Sequence, residues 1–417
     1  MAECSGKRIA IVGGGVSGLV TGHLLAAKHD VRVFEADDRL GGHANTVPVE
    51  IDSRQFLVDV GFVVFNERTY PRFTALLAGL GVPTRPTRMS FSVRSERDGI
   101  EYNGGSLAGL FAQRRNALRP AFLRMLADIV RFNRVARRTP DACDVPLGDF
   151  LRQGRFSRAL SEWYVLPMVA CIWSAPVGRV ERFPVGPLVA FLRGHGLLDL
   201  FDRPLWRVVR GGAVRYVEAL VAPFRERIRL GEAVRAVRRV ERGVVVETAR
   251  GTSEPFDEVV IAVHGDDVLA LLANPTRAEH TAFEAFRYVE NEVVLHTDER
   301  LLPRHTRARA CWNALVPSAP DEPVRVTYVM NLLQGLGAPR AICVSLNCNE
   351  AIAPTCVIRR LRYRHPLLEP ATLAARRRVE ALNGADRVHF CGAYLGYGFH
   401  EDGVSSAMDV ARRIDAA

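Results

Sequence analysis

The sequence predicts an α/β fold assembled from separated segments, on three observations. A short apolar run at residues 8–12 leads into Gly13-Gly14-Gly15-Val16-Ser17-Gly18, which has the spacing G-x-G-x-x-G. A second strand, Val31 to Phe34, ends in Glu35. At the other end of the chain, "RVHFCGAYLGYGFHEDGVSSAMDVARRI" (387–414) gives another strand, a glycine-rich loop and a helix with small residues at its start. These predict a Rossmann-like nucleotide-binding domain that draws strands from both ends of the chain. A chain of 417 residues at 48% hydrophobic content is long enough for roughly two or three such units.

The first segment is a complete βαβ pattern. Gly13 makes the tight turn, Gly15 lets the backbone approach a pyrophosphate, and Gly18 allows close packing of helix on strand. The amides of Val16 and Ser17 open a helix whose N-terminus faces the anion. Leu19, Val20, His23, Leu24 and Ala27 fall on one helical face. Glu35, about 20 residues beyond the glycines, can accept hydroxyls of the adenosine ribose. With both strands, the helix and the acid in order, dinucleotide binding outweighs a glycine turn that merely packs.

The next residues narrow the dinucleotide. "EADDRLGGHANTV" sets Arg39, Gly41, Gly42 and His43 directly after the ribose acid. This resembles the extended FAD fingerprint of the flavin amine oxidase, phytoene desaturase and protoporphyrinogen oxidase superfamily. "VDVGFVVFNERTYP" (58–71), with Gly61 and Phe62, is similar to the strand and turn that approach the flavin there. "VVRGGAVRYVEAL" (208–220) resembles its glycine pair and returning helix, and "IRLGEAVRAVRR" with Val234 looks like the adenine-side strand. "FDEVVIAVH" looks like the strand that re-enters the nucleotide domain. The resemblance implies an amine-oxidase-like two-domain flavoprotein, with an FAD domain made of residues 1–75, 206–270 and 381–417, an α+β substrate domain interleaved as 76–205 and 271–380, and FAD bound by these residues and by Gly392, Glu401, Asp402, Gly403 and Val404. In that superfamily the N-terminus of the last helix points at the flavin pyrimidine ring, where amides and helix dipole stabilise charge on the reduced ring. The wording "GFVVFNERTYP", "FAQRRN" and "GYGFHEDG" is similar to bacterial amine-oxidase-like NAD/FAD-binding proteins that accompany fatty-acid-modifying methyltransferases, which implies a lipid role.

Candidate catalytic groups lie in the C-terminal loop. His400 is the candidate proton acceptor or flavin-polarising group and Tyr397 the substrate-positioning group. Both keep a plainer reading: a satisfied core histidine and a packing aromatic. Glu401 and Asp402, placed before a helix expected from Gly403 to Ile414, equally suit helix capping. Many amine oxidases of the superfamily hold a lysine that bonds, through water, to flavin N5. Here lysine occurs only at Lys7 and Lys28, both beside the first βαβ unit, so amine oxidation loses ground. Cys391 sits in a strand and Cys356 lacks glycine neighbours, so FAD is expected to be noncovalent.

In the interleaved domain, "WYVLPMVACIWSAP" (163–176) is apolar and aromatic. Trp173 and Trp312 are candidate substrate contacts in an apolar tunnel; core packing is the competing account. The eight cysteines lack paired short spacings, which indicates neither a disulfide framework nor a metal site and fits a reducing cytoplasm. No apolar run has the length of a membrane span.

Net charge is +10. "LFAQRRNALRPAFLRMLADIVRFNRVARR" (110–138) interleaves Leu118, Phe122, Met125, Ile129 and Phe132 with arginines. It reads as a basic amphipathic helix, either a solvated face or a peripheral contact with the inner membrane surface through Arg114, Arg115, Arg119 and Arg124. No nucleic-acid-binding module accompanies the charge. The expected function is an FAD-dependent oxidoreductase taking hydride from a carbon of a hydrophobic substrate, such as an acyl-chain desaturase. Amine oxidation, redox-neutral isomerisation and noncatalytic partnership with a lipid-modifying enzyme are the alternatives.

Overall fold

The structure, a computed structural model, describes residues 6–173, 177–199, 203–319, 322, 324–348, 351–367 and 369–416. Cys4 and residues 174–176 of the apolar segment lie outside the described residues. Five parallel strands form one sheet in the order Ile228–Arg229, Asp30–Phe34, Arg8–Val12, Glu258–Ile261, Val388–Phe390. Ile9, Ala10, Ile11, Val31, Val33, Val259, Val260 and Ile261 are all fully buried. Both faces of the sheet are covered, which is why the central strands Arg8–Val12 and Glu258–Ile261 read as nearly continuous apolar runs, while Asp30–Phe34, nearer the edge, alternates. The helices Val16–Leu25, Val214–Val221 and His400–Ala416 cover one face through Leu19, Val20, Tyr216, Leu220, Val404, Ala407 and Val410. The other face meets a three-stranded antiparallel sheet (Val234–Val240, Gly243–Thr248, Ser253–Phe256) and the helices Arg277–Phe283 and Pro370–Leu382.

Because the strands are parallel, their carboxyl ends share one edge. Gly13, Glu35, Ala262 and Cys391 each follow directly from a strand there. That edge is where open α/β sheets bind ligands.

A second sheet of seven strands runs in the order Val357–Pro366, Tyr288–His296, Cys343–Leu346, Arg325–Val329, Trp312–Val316, Phe91–Ser95, Ile100–Asn103. Only Trp312–Val316 and Phe91–Ser95 pair in parallel. The helices Pro120–Arg138, Leu166–Trp173 and Val185–Gly194 enclose a separate apolar core beside it, with Phe132, Val165, Val169, Leu188 and Leu192 fully buried. The seven cysteines described are all free thiols.

Three local expectations need correction. The C-terminal helix starts at His400 rather than Gly403, so Glu401 and Asp402 lie inside its first turn. The Asp402 carboxylate accepts the N–H groups of Tyr397 and Phe399, closing the loop just ahead of the helix. The arginine segment is not one helix: a 3₁₀ turn, Arg114–Leu118, precedes the α-helix Pro120–Arg138. Proline disfavours helical geometry in the residue before it, and Arg119 is extended (φ −94°, ψ 111°). Ala27 lies beyond the end of the first helix and is exposed.

Candidate cofactor site

The glycine loop divides its labour in a way that identifies the open side. A Cβ on Gly18 would sit 1.9 Å from the Gly13 carbonyl oxygen, so this glycine is required by the protein's own packing. A Cβ on Gly15 would meet no protein atom within 4 Å. Gly41 and Gly42 lie against it, with the Gly41 N–H on the Gly14 carbonyl at 2.8 Å. Glu35 ties the turn together: Oε2 accepts from the Gly14 N–H at 2.6 Å and Oε1 from the Asp37 N–H at 2.8 Å. Its remaining lone pairs are available to hydroxyls. The segment carrying Val234 runs beside this acid, with the Glu232 N–H on the Glu35 carbonyl at 2.8 Å.

The two chain ends meet here. A Cβ on Gly403 would lie 2.9 Å from Ser17 Oγ and 3.0 Å from Val16 Cγ1, so the first turns of the two helices touch. Their unsatisfied N–H groups and dipole ends therefore concentrate positive potential at one place. Val404 is fully buried in the core between these helices. The Gly392 N–H donates to Ser406 Oγ at 3.0 Å, fixing the strand end to the C-terminal helix.

The titratable groups of the C-terminal loop take structural parts. Glu401 accepts the N–H groups of Arg72 and Phe73, both at 2.9 Å, and so caps the helix Pro71–Gly79 instead of its own. Asp402 is spent on Tyr397 and Phe399, and burial pushes it up to about 6. Burial also raises Glu401. Both carboxylates thus shape the loop through backbone amides, the capping-type part that the sequence also allowed.

His400 stacks on Phe62 at 3.7 Å with an interplanar angle of 9°, and its Nε2 shares a 2.6 Å hydrogen bond with Tyr216 Oη. Burial holds its pKa down to about 3. This is the setting of a satisfied core histidine, the plainer of its two sequence readings, and a proton acceptor would need a free lone pair and a pKa nearer the working pH. Gly61 and Phe62 follow the chain past His43, with the Phe62 N–H on the His43 carbonyl at 2.8 Å.

Tyr397 and Trp173 are brought to one aromatic layer. Phe399 stacks on Phe191 at 4.6 Å, Trp173 lies 4.8 Å from Phe191 and 6.2 Å from Phe399, and Tyr397 lies 6.1 Å from Phe191. The Arg376 guanidinium sits 5.7 Å from the centre of the Tyr397 ring, a cation–π distance. The buried Trp173 indole N–H has no partner. His195 stacks on Phe191 at 3.8 Å, and burial lowers it to about 4. Trp312 is not part of this layer; it packs within the seven-stranded sheet against Phe91 and Tyr328.

A group of histidines stands at the carboxyl edge that sequence reasoning did not assemble. The His43 ring lies 4.8 Å from Tyr363, 5.4 Å from His365 and 5.8 Å from His264. Burial, then the charges of His365 and His264, hold His43 far below the usual imidazole range, and burial lowers His365 to about 4. The buried His43 Nε2 is unpartnered. Arg39, half-buried, lies beside this group and adds to the depression of His43. His264, Asp266 and Asp267 approach one another within 4.8 Å, but Arg364 pairs with both aspartates and supplies the cation there. Two signals were present: His264 lies three residues past the carboxyl end of the strand Glu258–Ile261, and Tyr363 and His365 alternate along the strand Val357–Pro366, so they share a face.

The open side of Gly15, the abutting helix starts, the ribose acid and the orphaned His43 nitrogen fit a dinucleotide laid along this edge. The family described as flavin containing amine oxidoreductase matches residues 16–415. A Mycobacterium tuberculosis protein named as the flavin-containing monoamine oxidase AofH is 28% identical over 268 residues, 59% of this chain and 54% of that protein. The chain thus spans about half the length of that curated relative. Among solved structures, putrescine oxidase gives a TM-score of 0.69 at 15% identity over 99% of both chains. The fatty acid isomerase of P. acnes that produces CLA gives 0.69 at 13%, and cyclohexylamine oxidase from Brevibacterium oxydans gives 0.71 at 15%, each again over 99% of both chains. At such identities these likenesses concern the fold.

Proposed function

The chain belongs to the flavin-containing amine oxidoreductase family, with FAD as its cofactor, and from that premise we propose that it oxidises a carbon of a hydrophobic substrate such as an acyl chain. FAD, when bound, supplies the hydride acceptor. The glycine turn with the amides of Val16 and Ser17 would hold its phosphates, Glu35 its ribose, the Val234 segment its adenine, and the Gly392 and Gly403 regions its flavin end. Trp173, Phe191, Phe399 and Tyr397 would exclude water and orient an apolar substrate.

One observation carries the substrate class. The layer on the C-terminal loop is aromatic, while both lysines are held at the far end of the terminal helix. Lys7 Nζ bonds Glu258 Oε1 at 2.6 Å and the Ile414 carbonyl at 3.3 Å, and Lys28 Nζ bonds Asp415 at 2.5 Å. At 1.5 Å per residue, that end is about 20 Å from His400. Lysine chemistry next to the flavin end is therefore outside their reach.

Amine oxidation is the second reading, favoured by the family's description and by the monoamine oxidase relative. The test is to incubate the FAD-loaded protein aerobically with a membrane lipid extract and, separately, with primary amines, and to analyse products by mass spectrometry. A lipid product two hydrogens lighter supports the proposal. An aldehyde from an amine supports the second reading and contradicts the first. A lipid isomer of unchanged mass contradicts net oxidation and identifies a redox-neutral reaction.

A further inference from the structure

The helix Pro120–Arg138 buries Phe122, Met125, Phe132 and Ala136, so its inner face is fully used by the fold. Its outer face is unusual for a water-exposed helix. Five of the ten exposed large apolar side chains among the described residues fall between residues 107 and 135: Leu107, Leu118, Leu123, Val130 and Val135. Leu118, in the turn before the helix, is 86% exposed, and Leu123 is 45% exposed. Leu123, Ala127 and Arg134 recur at helical spacing on the outer face, with Arg138 one turn beyond. Arg114, Arg134 and Arg138 are exposed, and none has a bonded carboxylate or carbonyl among the described residues. By contrast Arg115 and Arg119 donate to the carbonyls of Gly99 and Asp98, and Arg124 is paired with Asp128.

Leucines that protrude at this exposure contribute nothing to the core, and scattered singly they would carry no meaning. Here Leu123 and Val130 share the outer helix face with Arg134, Leu118 stands in the turn just before it, and unneutralised guanidinium groups border them. That combination of apolar wedge and cationic border matches the boundary between anionic headgroups and acyl chains. An acidic protein or a nucleic acid would meet the charges but leave Leu118 and Leu123 in water.

We infer that the outer face of the helix Pro120–Arg138, with Leu118 in the turn before it, docks the protein on an anionic lipid surface. The docking does not depend on which substrate is oxidised, and its failure can be read separately from that of the proposed reaction. The set of charges also differs from the sequence-based one: Arg114 remains, and Arg134 and Arg138 take the place of the internally bonded Arg115, Arg119 and Arg124.

The test uses full-length FAD-loaded protein and sedimentation with phosphatidylcholine vesicles, with and without phosphatidylglycerol. Binding is expected only with phosphatidylglycerol and is expected to weaken with salt. The variant Arg114→Gln/Arg134→Gln/Arg138→Gln should bind about a hundredfold more weakly, from the contribution of each cation near an anionic leaflet. Leu118→Ser/Leu123→Ser should bind about tenfold more weakly at unchanged FAD content. Equal binding of either variant and the wild type, or equal binding to pure phosphatidylcholine, overturns the inference. Leu118→Trp supplies a reading independent of affinity: its fluorescence should shift to the blue on phosphatidylglycerol vesicles, and an unshifted spectrum at saturating vesicle concentration rejects insertion.

Discussion

Gly15 and Gly18 sit three residues apart and are expected to fail differently. Gly15→Val places a branched side chain in space that no protein atom occupies, so the apo fold should survive while FAD binding is lost. Gly18→Val drives a side chain into the Gly13 carbonyl and should lower folded yield and thermal stability as well. Flavin-to-protein absorbance ratio and melting temperature, measured on both, check the distinction; retained flavin in Gly15→Val would contradict the site. His400 makes a prediction of a different kind. Its native pKa of about 3 lies below an unfolded value of about 6.5. Below that value the unfolded chain takes up a proton that the native state refuses. Stability from this group is complete above about pH 6.5 and is lost as pH falls, by about 2 kcal/mol between pH 7 and pH 5. Chemical denaturation of wild type and His400→Gln at the two pH values should show the wild type's relative stability falling by that order on acidification.

At the scale of elements, the most consequential contact is between the two helices that Glu401 joins. Glu401→Ala removes the acceptor for the Arg72 and Phe73 amides and should cost about 0.5–2 kcal/mol, the range of a lost N-cap. Glu401→Gln, which keeps one acceptor oxygen, should cost less, and FAD occupancy should change little in either. Thermal melts with flavin absorbance check both statements. This contact also marks what the sequence could and could not disclose. The βαβ unit was legible because its signals are local: apolar runs, glycine spacing and an acid at the next strand end. Glu401 reads locally as a cap for its own helix; its true partners are 328 and 329 residues away. His43, His264 and His365 were equally hidden as a group, since two loops and a distant strand, Val357–Pro366, meet only in the tertiary fold. Pro120, by contrast, carried a local helix-start signal that the continuous amphipathic pattern obscured.

Across the whole molecule, the first and last helices abut at Ser17 and Gly403, and the parallel sheet draws strands from near both ends of the chain to one edge. This explains why aromatic residues, a histidine and paired carboxylates are concentrated in the last twenty-two residues: that loop is held between the nucleotide-binding edge and the aromatic layer of the second domain. The same architecture keeps Lys7 and Lys28 at the opposite end of the terminal helix. Selectivity of the proposed FAD enzyme for an apolar carbon donor can be read from anaerobic reduction of its own flavin. Purified protein mixed without oxygen with dispersed membrane lipid should lose its yellow absorbance, and the same protein mixed with putrescine, cyclohexylamine or benzylamine should keep it. Bleaching by the amines with none by the lipid would contradict the account.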